Sequence, residues 1–153
     1  MNLQESLKEH QAIRLGLSAK TWQEAVKLAA QPLIDNGAVS ISYYEAIMAS
    51  TEKHGPYYIL MPGVAMPHAA AGQGVFRDAF SLITLKQPVL FSDGKEVSIL
   101  ITLAATTATS HTKDAIPQLV ALLELDNVVE RLLACQTPAD VLAMVEESQT
   151  SLY

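Results

Sequence analysis

Four histidines, His10, His54, His68 and His111, are the side chains that titrate near neutral pH. His68 has the setting most suited to chemistry. It lies in Met61-Pro-Gly-Val-Ala-Met-Pro-His-Ala-Ala-Ala-Gly-Gln-Gly74, behind Pro62, Gly63 and Pro67 and ahead of Gly72 and Gly74. Pro67 fixes its own φ and restricts Met66, so the support under His68 is stiff. Ala69, Ala70 and Ala71 leave the other side uncrowded. A neutral imidazole on a stiff support beside open space suits a nucleophile that must meet a large partner. Taken alone, these residues are equally compatible with a loop histidine that has no chemical role.

His111 stands in Thr106-Thr-Ala-Thr-Ser-His-Thr-Lys-Asp114, between an apolar strand and an apolar helix. With Ser110 or Thr112 as the N-cap, it sits at the positive end of that helix, where free N–H groups bind anions. The carboxyl edge of a strand is also the usual ligand crevice of an open α/β sheet. The plainer alternative is a capping turn rich in hydroxyls for local reasons.

The remaining candidates carry less. His54-Gly55-Pro56 reads as a helix stop, and His10 precedes any clear element and is given no role. Cys135, the one cysteine, lies in an apolar helix and reads as a small core residue. It can form neither an internal disulfide nor a cysteine-based zinc site, which fits a reducing compartment. The carboxylates at Asp93, Glu96, Asp114, Glu124 and Asp126 show no paired acid–base or metal spacing. No third ligand joins His68 and His111 at a zinc-like interval. No metal or cofactor is expected.

The elements that must position these histidines are legible. At 153 residues, with half of them hydrophobic and 17% charged, the chain is expected to be one folded domain spanning 1–153. A net charge of −6 disfavours nucleic acid and anionic membrane as partners. Val97–Ala105 is about half the length of a membrane span and no secretory leader is visible, so a cytoplasmic protein is expected. Thr21…Glu24, Ser42…Glu45 and Thr137…Asp140 read as helix starts, the first two as capping boxes and the third with Pro138 at the first helical position. Asn36-Gly37 stops the first of these helices, which Pro32 should kink or shorten. Residues 57–61, 79–85 and 97–103 read as strands, with 13–17 a weaker one, and 113–125 as a helix. Two of the strands are apolar without clean alternation, as in a sheet covered on both faces. The expected class is α/β, a sheet flanked by helices.

Gly63-Val-Ala-Met-Pro-His68, followed by Thr109-Ser-His111, resembles the EIIA components of the mannitol/fructose-type phosphotransferase system. The likeness runs from the Thr21-Trp-Gln-Glu-Ala helix to the Val128-Val-Glu-Arg-Leu and Thr137-Pro-Ala-Asp-Val-Leu segments. The stretch from His54 to His68 is similar to the L-ascorbate-specific branch. The resemblance implies a mixed β-sheet with helices on both sides. It implies that His68 accepts a phosphoryl group from phospho-HPr and donates it to a cysteine of a cognate EIIB, with the membrane component EIIC acting next. It also implies that His111 is the supporting histidine.

Two positions depart from the family's pattern. The mannitol-type arginine ahead of the active histidine is replaced by Thr51 or Glu52, with Lys53 or His54 as the nearby substitutes. The ascorbate-type Gly-Arg after the active histidine is replaced by Ala69-Ala70, leaving Arg77 as the next downstream cation. A regulatory EIIA-like phosphoprotein and a binding module with a degenerate site are the alternative readings.

Overall fold

The computed structural model describes residues 1–9 and 11–150, so His10 lies outside the described residues. The elements are α1 (Leu3–Leu7), β1 (Ile13–Leu17), α2 (Trp22–Asp35), α3 (Ile41–His54), β2 (Ile59–Met61), β3 (Gly63–Ala65), β4 (Ala79–Leu90), β5 (Glu96–Ala104), a π-helical turn (Ser110–Ala115), α4 (Ile116–Leu123), α5 (Val128–Ala134) and α6 (Pro138–Gln149). Among the described residues, no helix is long and apolar enough to cross a membrane.

The five strands form one mixed sheet in the order β1-β4-β5-β3-β2. β4 and β5 pair antiparallel at its centre, β1 runs parallel to β4, and β3 runs parallel to β5. Both faces are covered. Phe80, Leu82, Ile99, Ile101 and Leu103 pack against Leu3, Leu119, Leu122, Leu132, Val141 and Val145. Their neighbours in sequence, Ala79, Ile83, Leu100 and Ala104, pack against Ala25, Ala29, Leu33, Tyr43 and Ile47 of α2 and α3. Period-two side-chain direction therefore feeds two cores, and burial on both sides explains the uninterrupted apolar runs. Two polar residues of β4 find partners across the fold: the Ser81 hydroxyl donates to the Ala29 carbonyl, and Thr84 accepts from the Gly16 N–H.

The helix starts at Thr21 and Thr137 are as expected. Thr21 accepts from the Glu24 N–H, although the Glu24 carboxylate reaches one residue past it, to the Lys20 N–H. Thr137 and Asp140 form the complete reciprocal box. Thr137→Ala is expected to cost about 1 kcal/mol of stability, readable as a lower urea midpoint at unchanged slope.

Four expectations are corrected. Ser42 does not cap α3; the helix starts two residues earlier, at Ile41, with Ser40 in the N-cap position. A tertiary contact sets that start, because the Ser40 N–H donates to the Gly74 carbonyl across the fold. Pro32 does not shorten α2, which runs on to Asp35 and closes through Gly37 and Ala38 N–H groups on the Ile34 and Leu33 carbonyls. The strand expected over residues 57–61 is confined to Ile59–Met61, since the Ile59 N–H turns back to the Pro56 carbonyl. Gly63–Ala65 is a strand where punctuation by Pro62, Gly63 and Pro67 suggested a loop; its pairing with β5 supplies the order.

Candidate active site

Because β3 and β5 run parallel, their carboxyl ends lie at the same edge of the sheet. His68 follows β3 and His111 follows β5, so the topology brings together two residues remote in sequence. Their ring centroids are 5.0 Å apart. Together with Ser50, Tyr57, Ala69, Ala70, Ala71, Ala108 and Thr112 they line an open cleft of about 380 Å³.

The loop carrying His68 is stitched to the end of β5. The Leu103 N–H donates to the Pro67 carbonyl at 3.3 Å and the Gly72 N–H to the Ala105 carbonyl at 3.0 Å. Tyr43, buried on α3, ties the same loop: its hydroxyl donates to the Leu103 carbonyl and accepts from the Ala69 N–H. Burial pushes the Tyr43 phenol up to about 12, so it remains a hydroxyl with a proton to donate. Tyr57 makes a third tie, its hydroxyl donating to the His68 carbonyl at 2.9 Å and accepting from Ser50. Its ring stands edge-on to the His68 imidazole.

The His68 ring has a defined tautomer. Nδ1 lies 2.8 Å from the Met66 carbonyl oxygen, which can only accept, so Nδ1 carries the proton. The lone pair is left on Nε2. Burial, aided by the nearby His111, holds the His68 pKa below the ordinary histidine value, against the opposing pull of the Met66 hydrogen bond. Burial lowers His111 in the same way. Both rings are thus neutral at pH 7.

The hydroxyl-rich segment before His111 is fixed from outside itself. Thr107, rather than Ser110 or Thr112, caps the helical start by accepting from the Ser110 N–H. Thr112 donates instead to the Ala108 carbonyl. Asp78 accepts from both the N–H and the hydroxyl of Thr106. Burial opposes ionisation of Asp78, but bonds from Thr106 and Ser110 outweigh it and hold the carboxyl below its usual range.

The structure places the other candidates elsewhere. Thr51 is buried, donating to the Ile47 carbonyl and bonded to the Tyr58 hydroxyl. Glu52, Lys53 and His54 are exposed at the end of α3 and do not line the cleft. Arg77 turns away to Glu9, at 2.6 Å, and to the Asn36 carbonyl. No lysine or arginine lines the cleft; its polar lining is Ser50, Tyr57, Thr112 and the two histidines. Sequence reasoning missed Ser50, Tyr57 and Tyr43. The adjacent Tyr57-Tyr58 pair just after the helix stop was the available signal.

Residues 6–148 match the family described as phosphoenolpyruvate-dependent sugar phosphotransferase system, EIIA 2, and the chain belongs to that family. Components of this family carry a phosphohistidine intermediate. The chain is 42% identical over 153 residues to the ascorbate-specific PTS system EIIA component of Escherichia coli K12, covering 99% of each. It superposes with a TM-score of 0.96 on the crystal structure of a protein assigned as PTS IIA (PtxA) from Streptococcus mutans. That match is at 62% identity and covers 99% of this chain and 97% of the other. The same fold, at a TM-score of 0.77 and 23% identity, occurs in enzyme IIA mannitol of Escherichia coli, solved in complex with phosphorylated enzyme IIB. There 90% of this chain and 95% of the other are covered.

Proposed function

We propose that this chain is the cytoplasmic phosphocarrier of an L-ascorbate-type phosphotransferase system, with His68 as its phosphoryl acceptor and donor. The observation that carries the assignment is the Met66 carbonyl on Nδ1, which leaves Nε2 as the nucleophilic nitrogen beside an open cleft. A P–N bond forms at Nε2 as the P–N bond to the HPr histidine breaks. In the second transfer that bond breaks as a P–S bond forms on the EIIB cysteine. Nδ1 keeps its proton, donated in a hydrogen bond to the Met66 carbonyl, throughout, so the carrier needs no external base. Phosphoryl transfer asks the protein for positioning and charge stabilisation rather than covalent help. His111, Ser50, Tyr57 and Thr112 are the groups that line the space beside His68.

The ascorbate reading is supported by the full-length 42% identity with an ascorbate-specific component. An EIIB partner is supported by the enzyme IIA of the same fold that is held by phosphorylated enzyme IIB. The membrane component EIIC is reached only through EIIB.

The test is incubation of the protein with phosphoenolpyruvate, enzyme I and HPr, followed by intact-mass and peptide mapping. One phosphoryl group, lost in acid and mapped to the peptide containing His68, is the expected result. A phosphoryl group on another residue overturns the assignment of His68. No phosphoryl group, with HPr shown active on another EIIA, would make the chain a binding module instead.

The lowered His68 pKa fixes the pH dependence. Only neutral imidazole accepts the group, and protonation sets in below the ordinary value near 6.5. Acceptance is expected to stay flat through neutrality, its acid limb lying at lower pH than for an unperturbed histidine. The same linkage means that below about pH 6.5 the unfolded chain binds protons the folded chain refuses, so stability falls as pH falls. Initial rates of labelling against pH, with phospho-HPr saturating, read the first effect.

A further inference from the structure

The turn that presents His111 is π-helical, and a buried side chain outside the cleft holds it. The Ile116 N–H donates to the His111 carbonyl, skipping one residue of the ordinary ladder. In an unbroken α-helix His111 would share the stripe of Ala115, Gln118 and Leu122, which are buried against the sheet. One inserted residue displaces the phase by about 100°. The turn therefore lets His111 face the cleft while Ala115, Leu119 and Leu122 remain in the core. Pro117 has no N–H, so the backbone lacks a donor in this stretch. The Gln118 side chain adds a tie of its own: Nε2 donates to the Asp114 carbonyl at 2.7 Å and to the Met1 carbonyl at 2.8 Å. Its Oε1 accepts from the Leu3 N–H at 2.7 Å, and its carbonyl accepts from Gln149. The amide is thus fixed from three sides, and the turn inherits that position.

We infer that Gln118 is a positioning residue for phosphoryl transfer, its side-chain amide holding the π-helical turn in the register that sets His111 against His68. The inference rests on the phosphocarrier reading for its kinetic consequence, and on the histidine pair alone for its structural one.

The test uses Gln118→Met, which keeps the length and removes the amide. Gln118→Glu is the second variant; it keeps the acceptor for Leu3 and loses the donor to Asp114. Thr137→Ala serves as a control that weakens the fold away from the cleft. Two readouts are taken: the nuclear Overhauser contact between the His68 and His111 rings, and kcat and KM for acceptance from phospho-HPr. Both Gln118 variants are expected to lose the ring contact and to drop kcat by roughly 10- to 100-fold with KM unchanged, as for a misplaced supporting group. Thr137→Ala is expected to keep both. Should one Gln118 variant fail to fold, the other decides. Retention of either the ring contact or the wild-type kcat in a folded Gln118 variant overturns the inference. If wild-type protein accepts no phosphoryl group, the phosphocarrier reading fails, while the ring contact still decides whether Gln118 sets the turn.

Discussion

His68→Ala is expected to take up no phosphoryl group from phospho-HPr while remaining folded. The variant removes the nucleophilic Nε2, and no other group in the cleft can replace it: His111 is offset by 5.0 Å between ring centres and the remaining lining is hydroxyl or methyl. The fold is insensitive because the His68 ring is half-buried and its one ring-nitrogen hydrogen bond goes to Met66, two residues back. The ties on its loop run through the backbone of Pro67, His68, Ala69 and Gly72, which the substitution leaves in place. Stability is expected to change by no more than about 1 kcal/mol. His111→Ala should differ in kind. The nucleophile remains and one neutral donor is lost, a change expected to slow transfer by roughly 10²-fold. Intact-mass time courses on the two variants separate abolition from slowing.

Gly74→Ala is expected to be the most damaging small substitution outside the cleft. Gly74 has φ +71°, and a Cβ there would lie 2.6 Å from Ser42 Oγ, 2.8 Å from Ser40 Oγ and 2.9 Å from the Tyr43 nitrogen. The hydroxyls could rotate, but the backbone nitrogen could not without moving the first turn of α3. Left-handed strain and overpacking together are expected to cost about 3 kcal/mol. Gly94→Ala is the matched comparison, since φ is +82° and nothing lies within 4 Å. It should cost only the backbone strain, about 1 kcal/mol. Urea unfolding of the pair measures the difference. Moving the start of α3 also displaces Tyr43, whose hydroxyl holds the Ala69 N–H, so Gly74→Ala should slow phosphoryl acceptance whereas Gly94→Ala should not.

What the sequence made legible was local. The Thr137–Asp140 box, the Gly55 stop and the apolar runs of β4 and β5 depend on neighbours within a few residues or on burial of both faces, and each leaves a pattern in composition. The same rules misread Ser42 because Ser42…Glu45 satisfies the motif whereas Ser40, with Tyr43 three residues on, does not; the start at Ser40 is set by Gly74, far along the chain. Gly63–Ala65 carries the marks of a loop and becomes a strand through pairing with β5 on one side and β2 on the other. In the cleft, the two histidines stood out by residue type and by resemblance. The hydroxyls of Tyr57 and Ser50 did not, because their value lies in distances that no spacing encodes. Arg77 was an available cation on paper; its ion pair with Glu9 removes it.

The strand order has a consequence for assembly in time. β1 leaves the ribosome long before β4, with which it pairs, and β3 before β5. The small β2–β3 hairpin closes over Pro62, and the antiparallel β4–β5 hairpin at the centre of the sheet is the next pairing across a short loop; short loops close fastest. The sheet therefore grows outward from its last-made strands, collecting the earlier ones as it goes. The His68 loop takes its anchors from Leu103 and Ala105, at the far end of that hairpin. A nascent chain shorter than this carries the histidine without its geometry, so phosphoryl-accepting competence should emerge abruptly with chain length rather than gradually.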